Sequence, residues 1–262
     1  MRIWFQKHTV EGRSPLLDKL YAEHLGKVAA PGTTIEIHTL PPRTYETELP
    51  EHLVGYGRLG LMFGDYFTRT AVTAERAGCD AWISGAGQDP GLAAARCHAT
   101  IPVVGYGEAA WHASRLERCR LGVLGFIPHL AEPITANLRA AGAWLASYQV
   151  IEDGAFAVQR ALAEDFDPFV AAYTGAAARA AAAGAQWLVP AEGIPNEILV
   201  HLGITELHGL PVIDPGGLAV KTAEHLAGLR ALGITARSDA GYWNRQPPAA
   251  AIEHAELIFL GG

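Results

Sequence analysis

Ala77-Gly78-Cys79-Asp80-Ala81-Trp82-Ile83-Ser84-Gly85-Ala86-Gly87 runs without a gap onto Ala183-Gly184-Ala185-Gln186-Trp187-Leu188-Val189-Pro190-Ala191-Glu192-Gly193. In each copy an Ala-Gly pair leads into a short apolar run and then into a loop of small residues, the pattern of a helix end, a buried strand and a turn. Farther out, Pro102-Val103-Val104-Gly105 recurs as Pro211-Val212-Ile213-Asp214, and Arg2-Ile3 as Arg120-Leu121. Three matches in one order, on the same expected elements, predict two similar halves.

Between these anchors strands and helices alternate. Arg2 to Phe5 reads as a first strand, Ser14-Pro15 as a helix N-cap with proline in the first turn, and Leu17, Tyr21 and Leu25 as one buried helix face. Thr34 to Leu40 has the period of a strand. Pro41 to about Gly57 reads as irregular, followed by a helix from near Asp65 to Ala77 and strands at Ala81 to Ser84 and Ile101 to Gly105. The second series starts with a strand at Leu121 to Gly125, a helix at Pro133 to Ala141 and a strand near Tyr148 to Ile151. It continues with a helix from Asp167-Pro168 to Gly184. Alternation of this kind implies parallel pairing through crossover helices. The expected fold is α/β with two pseudo-symmetric lobes, each a short, mostly parallel sheet flanked by helices. Residues 1–107 with 212–262 form the first lobe and 108–211 the second, facing each other across a cleft.

The chain has 262 residues, half of them hydrophobic and 18% charged, enough to fill a core without metal or disulfide staples. Its 20 Lys and Arg against 27 Asp and Glu give a formal charge of -7, with no basic stripe for a phosphate backbone, which argues against nucleic acid as a partner. Three cysteines without CxxC spacing fit a reduced, cytoplasmic protein. The N-terminus lacks the apolar core of a signal peptide, and no apolar run is long enough to span a membrane.

Ligands of parallel sheets bind beyond the carboxyl ends of the strands, so the loops to inspect are Gln6 to Gly12, Gly85 to Gly91, Gly105 to Glu108, Gly125 to His129, Pro190 to Asn196 and Asp214 to Gly217. Glycines there let a ligand approach the backbone or simply make tight turns. Gly85-Ala86-Gly87-Gln88-Asp89-Pro90-Gly91 is a poor dinucleotide fingerprint, because its third glycine comes one residue late and Asp-Pro stands where a pyrophosphate would sit. Among 11 histidines no His-x-x-x-His spacing marks a metal site. His129 follows a strand end, whereas His201 and His208 read as surface or packing residues. Trp82 and Trp187 occupy matching strands of the repeat and read as core; Trp243 lies in a polar tail.

Asp89-Pro90-Gly91-Leu92-Ala93-Ala94-Ala95-Arg96, Ile101 to Ala110, and Pro211 to Asp214 ahead of Ala219-Val220-Lys221 resemble the aspartate/glutamate/hydantoin racemase superfamily, the hydantoin and allantoin branch above all. The resemblance implies two pseudo-symmetric lobes, a small-molecule substrate, no metal or organic cofactor, and assembly into homo-oligomers. It also implies two cysteines facing the substrate stereocentre, one removing a proton and one supplying it. Their places fall on Gly85 and Ala191, so both thiols are missing, and Cys79, Cys97 and Cys119 lie elsewhere in the pattern.

Glu192 follows the second vacant position, in the loop Pro190-Ala191-Glu192-Gly193. A carboxyl group there is a candidate general acid or base, raised in pKa where water is excluded; the plainer role is to cap the following helix or pair with a base. Gln6-Lys7-His8-Thr9 stands where the family carries an Asn-Pro-Asn-Thr run that holds substrate, and a positive Lys7 or titrating His8 would favour an anionic ligand. The expected site is Glu192 as the catalytic residue, with His8, Thr9, Gly85, Ala86, Gly87, Ala191 and Gly193 binding substrate. One carboxyl is sufficient for a lyase, decarboxylase, isomerase or hydrolase acting on a small carboxylate, amide or cyclic imide. Two alternatives stand beside this: a racemase pairing Glu192 with His8 or a water, and an inactive small-molecule binding protein.

Overall fold

The computed structural model describes residues 1–45 and 49–260. Strands β1 (Arg2–Val10), β2 (Thr34–Leu40), β3 (Ala81–Gly85) and β4 (Val103–Gly105) form a parallel sheet in the order β2-β1-β3-β4. Strands β5 (Leu121–Gly125), β6 (Leu145–Val150) and β7 (Trp187–Pro190) form a second parallel sheet, ordered β6-β5-β7. Outside β7, Val212 makes a single parallel bridge to Leu188, and Ile213 N donates to Leu188 O at 2.8 Å. Pro211 to Asp214 therefore occupies the place that β4 holds in the first sheet, reduced to one rung. A short antiparallel pair, β8 (Glu206–Leu207) and β9 (Leu210–Pro211), leads into it.

The helices are α1 (Pro15–Val28), α2 (Glu51–Val54), α3 (Gly57–Arg76), α4 (Leu92–His98), α5 (Tyr106–Glu117), α6 (Ala131–Ala140), α7 (Gly154–Leu162), α8 (Asp167–Ala182), α9 (Gly193–His201), α10 (Pro215–Ala231) and α11 (Ala249–Leu260). Strand alternation sends Trp4 and Trp82 to one face of the first sheet, where they bury with Phe67 of α3. Ile3, Phe5 and Ile83 go to the other face, in a core shared with α1, α10 and the second sheet. Ser14 caps α1 by accepting from Leu17 N, and Leu17, Tyr21 and Leu25 are buried, as their spacing predicts. Among the described residues no helix is long and apolar enough to cross a membrane.

Three local expectations are corrected. The first strand continues through Gln6 to Val10, with a register shift between them, so His8 and Thr9 stand on a central strand rather than in a loop. Helix α3 begins at Gly57, about two turns before Asp65; Gly57, Gly60 and Gly64 weaken the helical signal of these turns, whose burial begins at Gly64. The segment read as irregular contains the single turn α2, while its residues 46–48 lie outside the described residues.

A buried ionic cluster ties three helices together. His24 of α1 meets Glu197 of α9 through Nδ1 at 3.0 Å and Asp214, the N-cap of α10, through Nε2 at 2.8 Å, while Asn196 Nδ2 donates to Asp214 at 2.9 Å. Burial alone would pull the imidazole pKa down, but hydrogen bonds to Asp214 and Glu197 outweigh it and lift it to about 10. The imidazolium is thus kept, and Asp214 is held below its usual range mainly by its bond to His24 against its own burial. Removing one partner leaves buried charge uncompensated, so His24→Ala is expected to lower stability by about 3–5 kcal/mol in urea denaturation at neutral pH. Because the folded pKa is raised, this contribution is complete below pH 6.5 and disappears as pH rises through about 10, where the wild-type and variant curves converge.

Candidate active site

The carboxyl ends of the two sheets face each other, and a crevice of about 40 Å³ lies between them. That is room for about three or four water molecules at about 10–15 Å³ each. Its first-half wall includes His8, Thr9, Gly85, Ala86 and Gly87; Glu192 and Gly193 come from the loop after β7, and Phe126 and Ile127 from the loop after β5. Of the site residues expected from sequence, Ala191 alone is not part of the lining. Its carbonyl instead backs onto Gly87, where a Cβ would collide with Ala191 O, so glycine at 87 is what lets the two loops meet.

Glu192 occupies the N-cap position of α9 but does not cap that helix with its side chain. Its carboxyl reaches the other loop of its own lobe, where Oε2 accepts from Phe126 N and Oε1 from Ile127 N, both at 3.2 Å. The Tyr106 hydroxyl donates to its backbone carbonyl at 3.2 Å. The side chain is buried, and burial raises its pKa to about 8 against the lowering effect of the Phe126, Ile127 and Glu192 amides. A carboxyl poised near neutrality can both give and take a proton.

Among the described residues the opposite wall carries no comparable group. His8 is packed edge-on against Phe63 at 4.4 Å, both its ring nitrogens lack partners, and burial lowers its pKa to about 4, so it is a neutral imidazole. Thr9 Oγ1 is likewise buried without a partner. Lys7 is fully buried but turned away into an ion pair with Asp18 at 2.5 Å, beneath the Tyr21 ring. The positive charge anticipated in this strand is therefore not presented to a ligand: Lys7 is neutralised and His8 is desolvated.

None of the three cysteines lines the crevice. Cys79 is buried before β3, Cys97 ends α4 with its thiol donating to Arg245 O at 3.0 Å, and Cys119 precedes β5. Gly85 holds no spare room either, since a Cβ there would run into the Phe5 ring and come within 2.9 Å of Gln6 O. His129, His201 and His208 are also absent from the lining. Trp243 borders two roomier hollows, of about 540 and 690 Å³, between the C-terminal segment and α4, not the crevice of Glu192. Among the described residues no group of three or more His, Cys, Asp or Glu is placed to hold a metal ion.

Sequence reading missed Tyr21, Gln88, Phe126 and Ile127, all of which line the crevice. Tyr21 was absorbed into the buried stripe of α1, and only its hydroxyl, unusual in a leucine stripe, sets it apart. Behind the first-half loop, Asp89 accepts from Gly107 N at 3.2 Å and Glu108 N at 2.8 Å, and burial raises its pKa to about 8.

Two tests follow from this packing. Glu192 and Asp89 keep protons in the folded state that the unfolded chain releases near pH 4, so stability falls as pH rises from there to about 8, by up to about 1.4 kcal/mol per pH unit for each group. Urea denaturation of Glu192→Gln across this window is expected to show a shallower fall than wild type. Gly85→Cys is expected to overpack the Phe5 contact and cost about 1–3 kcal/mol, visible as a lower melting temperature.

Residues 21–223 match the profile of the Asp/Glu/hydantoin racemase family. The fold resembles allantoin racemase from Klebsiella pneumoniae, with a TM-score of 0.66 and 23% identity over 95% of this chain and 94% of that one. It resembles allantoin racemase AllR from Pseudomonas fluorescens with a TM-score of 0.67 and 23% identity, over 94% and 97% of the two chains. Arylmalonate decarboxylase is more distant, with a TM-score of 0.52 and 16% identity over 93% and 99%. No curated protein sequence matches the chain. With the profile spanning most of its length and two parallel sheets facing across a crevice, the chain belongs to the Asp/Glu/hydantoin racemase family.

Proposed function

We propose that this protein is a cofactor-independent enzyme that moves a proton at a carbon beside a carbonyl, on one face of a small carboxylate, amide or cyclic imide, with Glu192 as the acid and base. The supporting observation is the asymmetry of the crevice: a buried carboxyl with a pKa of about 8 on one side and, among the described residues, no thiol or cation on the other. One-sided proton traffic suits lyase, decarboxylase, isomerase or hydrolase chemistry better than two-base racemisation. With no lysine or arginine in the lining, the uncharged amide and imide are the better-matched ligands. Free cysteines fit a cytoplasmic setting, and family habit supports a homo-oligomer.

A second reading has its own observation. His8 lines the same crevice with both ring nitrogens unpartnered, so it is a candidate partner for Glu192 in a cysteine-free racemase.

Enantiopure alaninamide, 5-methylhydantoin and alanine, incubated with enzyme in deuterated water and followed by NMR and polarimetry, separate the readings. Exchange or product formation with optical activity retained, lost at least about 100-fold in Glu192→Gln, is the expected result. Racemisation in step with exchange, abolished by His8→Phe as well, would establish the two-base reading. Ligand binding unchanged in Glu192→Gln, with no turnover by either protein, would mean an inactive binding protein.

A further inference from the structure

Moving a proton at a carbon beside a carbonyl places negative charge on the carbonyl oxygen, which needs a donor already aimed at it. The cationic donors are absent or committed elsewhere, as are two amides at the crevice, while His8 and Thr9 stand there as neutral groups without a partner. Among the described residues no lysine or arginine lines the crevice, Lys7 is paired with Asp18, and the Phe126 and Ile127 amides are engaged by Glu192. The donor must therefore be neutral.

Tyr21 lines the crevice, is 2% exposed, and its hydroxyl forms no hydrogen bond with any described residue. A phenol buried this deeply ordinarily finds a partner. Its ring has two neighbours, Phe5 at 5.9 Å between centroids and Lys7 Nζ at 4.9 Å from the ring centre, and α1 is anchored one turn farther on, where His24 meets Glu197 and Asp214. Gly193 makes room for the hydroxyl. A Cβ at 193 would collide with Tyr21 Oη and lie 3.6 Å from Cζ. The phenol thus stands against the residue that follows Glu192, while the Glu192 carboxyl is held by the β5 loop.

We infer that Tyr21 is a catalytic hydrogen-bond donor, its O–H holding the substrate's carbonyl oxygen while Glu192 moves the proton on the adjacent carbon. This rests on the proposed role of Glu192. In the exchange half-reaction the Glu192 carboxylate takes the hydrogen as a proton and the C–H electron pair becomes the enolate double bond. The carbonyl π pair moves onto the oxygen held by Tyr21. The Glu192 carboxyl then exchanges that proton for a deuteron of the solvent, and reversal returns the deuteron to the same face and restores the carbonyl. Tyr21 remains an O–H throughout, because burial, reinforced by Glu197, Tyr45 and Asp18, holds its pKa well above the usual phenol value.

The test uses the same three probes in deuterated water. Tyr21→Phe is expected to lower kcat for exchange by about 10²–10³-fold with KM within about threefold. Gly193→Ala, which displaces the hydroxyl, is expected to act in the same direction. Ring-fluorinated tyrosine at position 21 separates catalysis from packing: kcat should change in step with phenol acidity while the melting temperature stays constant. Tyr21→Phe within threefold of wild type, or a rate indifferent to ring fluorination, overturns the inference and leaves Glu192 in place. Activity that survives Glu192→Gln but falls in Tyr21→Phe removes the Glu192 reading instead. No exchange by the wild type with any probe overturns both.

Discussion

The site depends on a carboxyl group kept away from water by its own lobe. Glu192 does not reach across to the other half; it folds back onto two consecutive backbone amides at the end of β5. Those amides orient it, yet they stabilise its charged form less than burial disfavours it, so the group stays near neutrality. Orientation and protonation state are thereby set by different causes. A charged neighbour would have merged them, and the carboxyl would have become a permanent anion.

Around that carboxyl the two halves meet at close range. Gly87 and the Ala191 carbonyl approach each other as only a glycine allows, Tyr106 of α5 donates to the carbonyls of Pro190 and Glu192, and Tyr21 of α1 lies against Gly193. The His24 cluster sits one turn farther along α1 and α9. Each contact joins an element next to the first sheet to the loop that carries Glu192. The loop is thus fixed by both halves of the molecule, which supplies the support a functional group needs to hold its geometry.

Much of this was legible in the chain because it repeats. The doubled Ala-Gly-strand-loop stretch reveals two α/β halves, and strand-end logic brings His8, Gly85 and Glu192 to one crevice. What the sequence could not convey is which polar groups would cancel. Lys7 and Asp18 are eleven positions apart, and nothing in their spacing says that the pair closes and removes the cation from the site. The state of His8 likewise depends on Phe63, far along the chain. Tyr21 was hidden by its own regularity, since a residue at core spacing reads as core. The start of α3 is obscured by three glycines in its first turns, which lower the helical signal there.

A crevice whose described lining holds no lysine or arginine has a kinetic corollary for the uncharged ligand proposed above. With no cation in its lining, capture of an uncharged ligand gains nothing from long-range fields. Encounter should then proceed at much the same rate in dilute and concentrated salt, since there is no steering for counterions to screen.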